Sequence, residues 1–304
     1  MRRENGGPRG RRSFGAGGKC GGLLAGFLLL SAAVGAVDKL PDEEYAAYAA
    51  ALIENFSKDD PALLEDAANK LGRMGRHSLP ALTKLLNESS DEKLRRCAVL
   101  ALSRNKDKGA AAALLPLLKD PKTKTELRLL AVDGASASGL EQTIPALQEV
   151  AGNEKEDEEL RFRALQALCL MPEAWAGSEK LFVAALEAPQ DRIRRVAAQA
   201  CLQAAFRKPY RSAEPKLIQM ALKESVEETR GRAIMALGRM KSAAAAPAFA
   251  ELVLDAQTPP AVSAAARGAL GQISGLSFKD SAAVQAWWEK TGKARYAKPA
   301  APKE

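Results

Sequence analysis

Leu94-Arg95-Arg96-Cys97-Ala98-Val99-Leu100-Ala101-Leu102 returns in altered form as Leu160-Arg161-Phe162-Arg163-Ala164-Leu165-Gln166-Ala167-Leu168. The alanine at the centre of each copy belongs to a series, Ala67, Ala98, Ala131, Ala164, Ala197, Ala233 and Ala266, spaced 31 to 36 residues apart. A period in the thirties built from helix-forming residues means two helices per unit, each unit burying its apolar face only against its neighbours. The expected fold is all-α, a right-handed α-solenoid of about seven two-helix repeats. The 304 residues need not divide into two domains, because a solenoid grows in one dimension and has no single core to outgrow.

Four residues beyond each anchor alanine stand Leu71, Leu102, Ala135, Leu168, Cys201, Leu237 and Leu270. On a helix this spacing shares a face with the alanines, so the column is read as core. The repeats are predicted at 60–90, 91–123, 124–156, 157–189, 190–224, 225–257 and 258–290. Proline marks the starts: Asp60-Pro61 pairs an N-cap with a first-turn proline, and Ser78-Leu79-Pro80, Thr143-Ile144-Pro145, Glu214-Pro215 and Ala246-Pro247 open second helices in the same way. Residues 37–59, with Tyr45, Tyr48, Leu52 and Phe56 at helical spacing, predict an N-terminal capping helix. Residues 60–290 form the solenoid, and 291–304, rich in Lys, Ala and Pro, read as a disordered tail. Gly134 and Gly139 flank an Ala-Ser-Ala-Ser stretch, which predicts a distorted first-helix end in the third repeat.

Residues 1–36 read as an export signal. A basic n-region precedes an uncharged apolar run from Gly21 to Val37, and Val34-Gly35-Ala36 offers small residues for cleavage. Arg11-Arg12-Ser13-Phe14 resembles a twin-arginine signal, so both that route and the general secretory route stay open, and a membrane contact arises only if the leader is uncleaved. An exported protein of the periplasm or cell envelope is expected. The leader also explains the formal net charge of +8. Residues 1–36 hold six basic residues against one acidic, which leaves the rest of the chain at only +3 and removes the case for a nucleic-acid partner.

The pattern from Asp91 to Leu102, followed by Leu114-Leu115-Pro116-Leu117-Leu118-Lys119-Asp120, resembles HEAT-like repeats of the phycobilin-lyase type. The ending, Leu276-Ser277-Phe278-Lys279-Asp280 then Val284-Gln285-Ala286-Trp287-Trp288-Glu289-Lys290, is similar to the C-terminal helix of exported bacterial HEAT-repeat proteins. The resemblance implies a fold shared by scaffolds, chaperone-like proteins and a few enzymes. Some enzymes of that class hold a di-iron centre through repeated His-Glu pairs, and this chain has one histidine, His77. No metal, cofactor or catalytic residue is expected.

Arg95, Arg128, Arg161, Arg194 and Arg230 stand three residues before their anchor alanines, a ladder able to grip carboxylates on a partner. Acidic residues at Asp91, Glu126, Asp157, Asp191 and Glu227 offer the alternative, a structural ladder paired within or between repeats. Cys169 and Cys201 read as small core residues, Cys97 as partly exposed, and Glu154 to Glu159 as a solvated charge run. Trp287 and Trp288 are expected to close the last repeat. The functional reading is a non-enzymatic scaffold that binds a protein or peptide, with Lys84, Lys119, Gln148, Lys180, Lys216, Gln219 and Glu251 on the concave face of the second helices. The alternative is a lyase-like enzyme or subunit handling a bulky cofactor through Cys97 or the tryptophan pair. The oligomeric state is not legible.

Overall fold

The computed structural model describes residues 41–297. Residues 1–36, the predicted leader, lie outside the described residues, as do 298–304. The chain divides into two compact units, Met1–Tyr45 and Ala46–Glu304. Of the first, only the opening turn of helix α1, Asp42–Glu54, is described. A 3-10 turn, Asn55–Ser57, follows and buries Phe56.

Within the second unit, seven helix pairs follow at the predicted places. They are α2 (Pro61–Arg73) with α3 (Leu79–Glu88), α4 (Glu92–Ser103) with α5 (Lys108–Lys119), and α6 (Thr125–Ser138) with α7 (Ile144–Gly152). Next come α8 (Glu158–Leu170) with α9 (Glu179–Ala185), α10 (Asp191–Ala204) with α11 (Glu214–Lys223), α12 (Glu227–Arg239) with α13 (Ala246–Leu254), and α14 (Pro260–Ser274) with α15 (Ser281–Trp287). First helices pack on the first helices of adjacent repeats, and second helices pack on the next first helix, which is the connectivity of an α-solenoid. The described residues contain no strand.

Every anchor alanine is at most 1% exposed and every member of the Leu71 column at most 2%. A fully buried leucine contributes roughly 2 kcal/mol, and the alanines beside it let the helices approach. Gly134 shows how close: a Cβ there would stand 2.6 Å from Leu114 Cδ1 and 3.1 Å from the Ser103 Cα. The expected distortion is absent for that reason. Helix α6 runs intact to Ser138, and Gly139 ends it in the left-handed conformation, φ 60°.

The caps also differ in detail. Asp60 accepts from Ala62 N and Leu63 N as predicted. The four second helices that open on a proline instead enter from 3-10 turns, with that proline in their second position and no side-chain cap. Ser78 does not cap; its hydroxyl donates to the Leu71 and Gly75 carbonyls at 2.7 and 3.1 Å. Helix continues beyond residue 290, where a disordered tail is predicted to start. A π-helical turn, Trp288–Gly292, leads into α16, Lys293–Tyr296. Gly292 lies beneath both indoles, and Trp287 meets Phe278, Trp288 and Tyr296 at ring centroids 5.1, 5.8 and 6.0 Å away. This aromatic cluster closes the stack and leaves each tryptophan half-buried.

Candidate functional site

The arginine ladder is built on the first turns of the first helices, and the structure turns most of it inward. Arg128 is 5% exposed. Its guanidinium grips Glu156 with two hydrogen bonds of 2.7 and 2.9 Å and also donates twice to the Leu118 carbonyl at 3.3 Å. Arg194 repeats the arrangement, donating to Glu224 at 2.7 and 2.9 Å and to the Ala188 and Pro189 carbonyls at 2.8 Å. Arg230 donates to the Ala221 and Leu222 carbonyls. The last carbonyls of an α-helix lack intrahelical partners and carry the negative end of its dipole. Arg128 and Arg230 satisfy such carbonyls at the end of the preceding repeat's second helix, and Arg194 does the same just beyond it. Arg128 and Arg194 also clasp a glutamate from the far end of their own repeat.

The ladder is therefore structural at Arg128, Arg194 and Arg230, and the expectation of a partner-binding ladder is corrected there. The carboxylates used are Glu156 and Glu224, not the nearby Glu126 and Asp191. Glu156 belongs to the supposed solvated run, whose last three members also act: Asp157 caps α8 and Glu158 and Glu159 pair with Arg192 at 2.6 and 2.5 Å. Arg161 leaves its buried Nε without a partner. Arg95 is exposed. Pairing holds the Glu224 carboxyl below its ordinary value, chiefly through the Arg194 hydrogen bond.

On the second-helix face, Lys84, Lys119, Lys180, Gln219 and Glu251 are exposed. Gln148 and Lys216 are drawn into the stack, Gln148 onto the Ser178 hydroxyl at 2.9 Å and Lys216 onto Glu187 at 2.6 Å. The three described thiols are all free and buried, Cys97 at 2% exposure, so its expected partial exposure is corrected. Burial raises the Cys97 pKa, the reverse of what an activated thiol needs. His77 is half-buried in the turn Gly75–His77. No group of three or more His, Cys, Asp or Glu among the described residues is placed to hold a metal ion.

The insertion in the fifth repeat divides its aromatics. Tyr210 turns inward, stacks with Phe182 at 6.3 Å and donates its hydroxyl to the Trp175 carbonyl at 2.5 Å. Phe206 turns outward at 67% exposure. It edges an open groove of about 890 Å³ that crosses the ends of α10, α12 and α14 and is lined also by Arg239, Lys241, Arg267 and Leu276. The sequence reading missed this site. Its signal was an internal comparison: Leu71-Gly72-Arg73-Met74-Gly75 in the first repeat becomes Leu237-Gly238-Arg239-Met240-Lys241 in the sixth.

The profile described as HEAT repeats matches residues 49–125, 79–169, 178–271 and 214–286. Comparison with curated protein sequences gives no match. Among solved structures, the Escherichia coli protein YibA is similar at 15% identity and TM-score 0.56, over 95% of this chain and 100% of that one. Kap95p, in a structure with RanGDP, is similar at 14% identity and TM-score 0.59, over 88% of this chain and 41% of that one. A structure from work on the cadherin and beta-catenin interaction is similar at 14% identity and TM-score 0.50, over 79% of this chain and 55% of that one. At these identities the likeness concerns the fold.

Proposed function

We propose, since the chain belongs to the HEAT-repeat family, that it is a non-enzymatic scaffold that holds a protein partner in the bacterial periplasm or envelope. The observation that carries the reading is the open groove across the fifth, sixth and seventh repeats, where Phe206 and Leu276 stay 67% and 48% exposed. Large apolar side chains gathered on a concave surface mark contact sites more often than lone exposed leucines do. A fold of the same kind is seen with a protein partner in the Kap95p structure with RanGDP, which supports the reading. Export is supported by the basic n-region and the apolar run from Gly21 to Val37.

A photo-crosslinking amino acid placed at Phe206, and separately at Lys180 on the second-helix face, tests the scaffold in its source cells. A discrete crosslinked protein from either position is the expected result. Crosslinks from neither, in a strain that makes the protein at native level, overturn the scaffold reading. Fractionation of the same cells tests location: a shortened protein in the envelope or periplasmic fraction is expected, and full-length protein in the cytoplasm refutes export.

A further inference from the structure

We propose that the groove at Phe206 binds an acidic protein segment carrying an apolar side chain, an inference that rests on the scaffold reading and names the partner's chemistry. The first ground is charge. Along the first helices, basic side chains are repeatedly matched by carboxylates of the adjacent repeat: Arg96 with Glu126 at 2.5 Å, Arg163 with Asp133 at 2.9 Å, Arg192 with Glu158 at 2.6 Å and Arg195 with Glu228 at 2.7 Å. The matching stops at the groove. Arg239 and Lys241 have no carboxylate partner among the described residues, Arg267 donates only to the Lys279 carbonyl at 3.0 Å, and no Asp or Glu lines the groove. Three cations stand together unneutralised, and the complement is negative.

The second ground is geometry at Arg239. Its guanidinium lies 3.9 Å from the centre of the Phe206 ring. That contact holds the group over the ring, and its N–H donors, which have no partner among the described residues, remain available for a carboxylate in the bidentate manner. The third ground is Lys241. It is the only described residue other than glycine with positive φ, 50°, and it ends its helix in a Schellman turn: Lys241 N donates to Gly238 O and Ser242 N to Leu237 O, both at 3.0 Å. The equivalent position in the first repeat is Gly75, φ 56°. A lysine accepts a backbone conformation there that glycine adopts without strain, and its exposed ammonium is set at the groove's edge. Exposed Phe206 and Leu276 supply the apolar contact, which favours a peptide over a nucleic-acid strand.

Adjacent helix axes lie about 10 Å apart, so a groove over three repeats spans about 20 Å, or about six residues of extended chain. The test uses fluorescence anisotropy of the full chain with three labelled probes: a peptide alternating glutamate with phenylalanine, its lysine-for-glutamate counterpart, and an oligothymidylate. The acidic peptide is expected to bind. Arg239→Gln with Lys241→Gly is expected to weaken it at least tenfold without lowering the melting temperature, and Phe206→Ala to weaken it independently. Acidic-peptide binding that these variants leave unchanged but Lys119→Glu with Lys180→Glu abolishes sinks the groove and keeps the scaffold. Preference for the basic peptide or the oligothymidylate, or binding of none of the probes, overturns the proposal, while the crosslinking result decides the scaffold separately.

Discussion

Arg128→Gln is the substitution with the largest calculable effect. It removes one half of an ion pair whose side chains are 6% and 14% exposed, and it takes both side-chain donors away from the Leu118 carbonyl. Breaking a buried pair from one side costs about 3–5 kcal/mol, because the remaining charge stays desolvated. The Glu156 carboxylate keeps some access to water, which brings the cost to the low end of that range, and the orphaned carbonyl adds about 1 kcal/mol. The expected loss is about 4 kcal/mol. Arg230→Gln, which gives up carbonyl contacts alone, is expected to cost about 1 kcal/mol, and exposed Arg95→Gln within about 0.5 kcal/mol. A stack of repeats opens locally, so native-state amide hydrogen exchange over α5 and α6 is the appropriate assay, beside urea unfolding followed by circular dichroism. Equal effects of Arg128→Gln and Arg95→Gln would refute the assignment of the ladder to structure.

Lys241→Gly should stabilise the protein by about 1 kcal/mol, since it removes a left-handed non-glycine residue; a lower melting temperature contradicts this. Pairing with Arg194 holds Glu224 below its ordinary 4.5, so the unfolded chain takes up that proton first as pH falls. This contribution is full above about pH 4.5 and is lost as pH falls through the lower folded value, and Glu224→Gln should make the acid limb of stability shallower; an unchanged limb argues against the clasp. Burial pushes the Cys169 and Cys201 thiols up to about 11 and about 12 and raises Cys97, so with Cys20 replaced by Ser the folded chain should react slowly with a disulfide reagent at pH 8 and rapidly once unfolded. A fast native thiol would contradict the buried positions.

The repeat was readable because its two determinants are local and recur: an alanine where helices touch and a leucine one turn on. Spacing alone places these residues on one face, and the structure buries them all. The ladder was visible as a column, but its role was not. Glu156 lies 28 residues beyond Arg128, and only the stacking of one repeat on the next decides that the arginine turns toward the preceding helix end and away from solvent. Cys97 shows the same limit. Its column also holds Asp66, Arg163 and Arg232, which reach outward on longer side chains, whereas a short thiol at that place stays beneath the surface. The groove escaped notice because it consists of missing partners, and a missing carboxylate across two repeats leaves no mark in a linear pattern.

The carboxylate clasps are unevenly distributed, and this gives the stack a mechanical profile. Arg128 ties the end of α5 to α6 and to the far end of its repeat at Glu156, and Arg194 does the same between the chain after α9, helix α10 and Glu224. Between these two braces sits Arg161, with its Nε unsatisfied, and beyond them Arg230 holds carbonyls without a carboxylate. The buried ionic clasp is thus repeated at two joints of the stack and missing from those at Arg161 and Arg230. The groove lies across the second of these joints, so an occupant there would bridge repeats that no such clasp ties together.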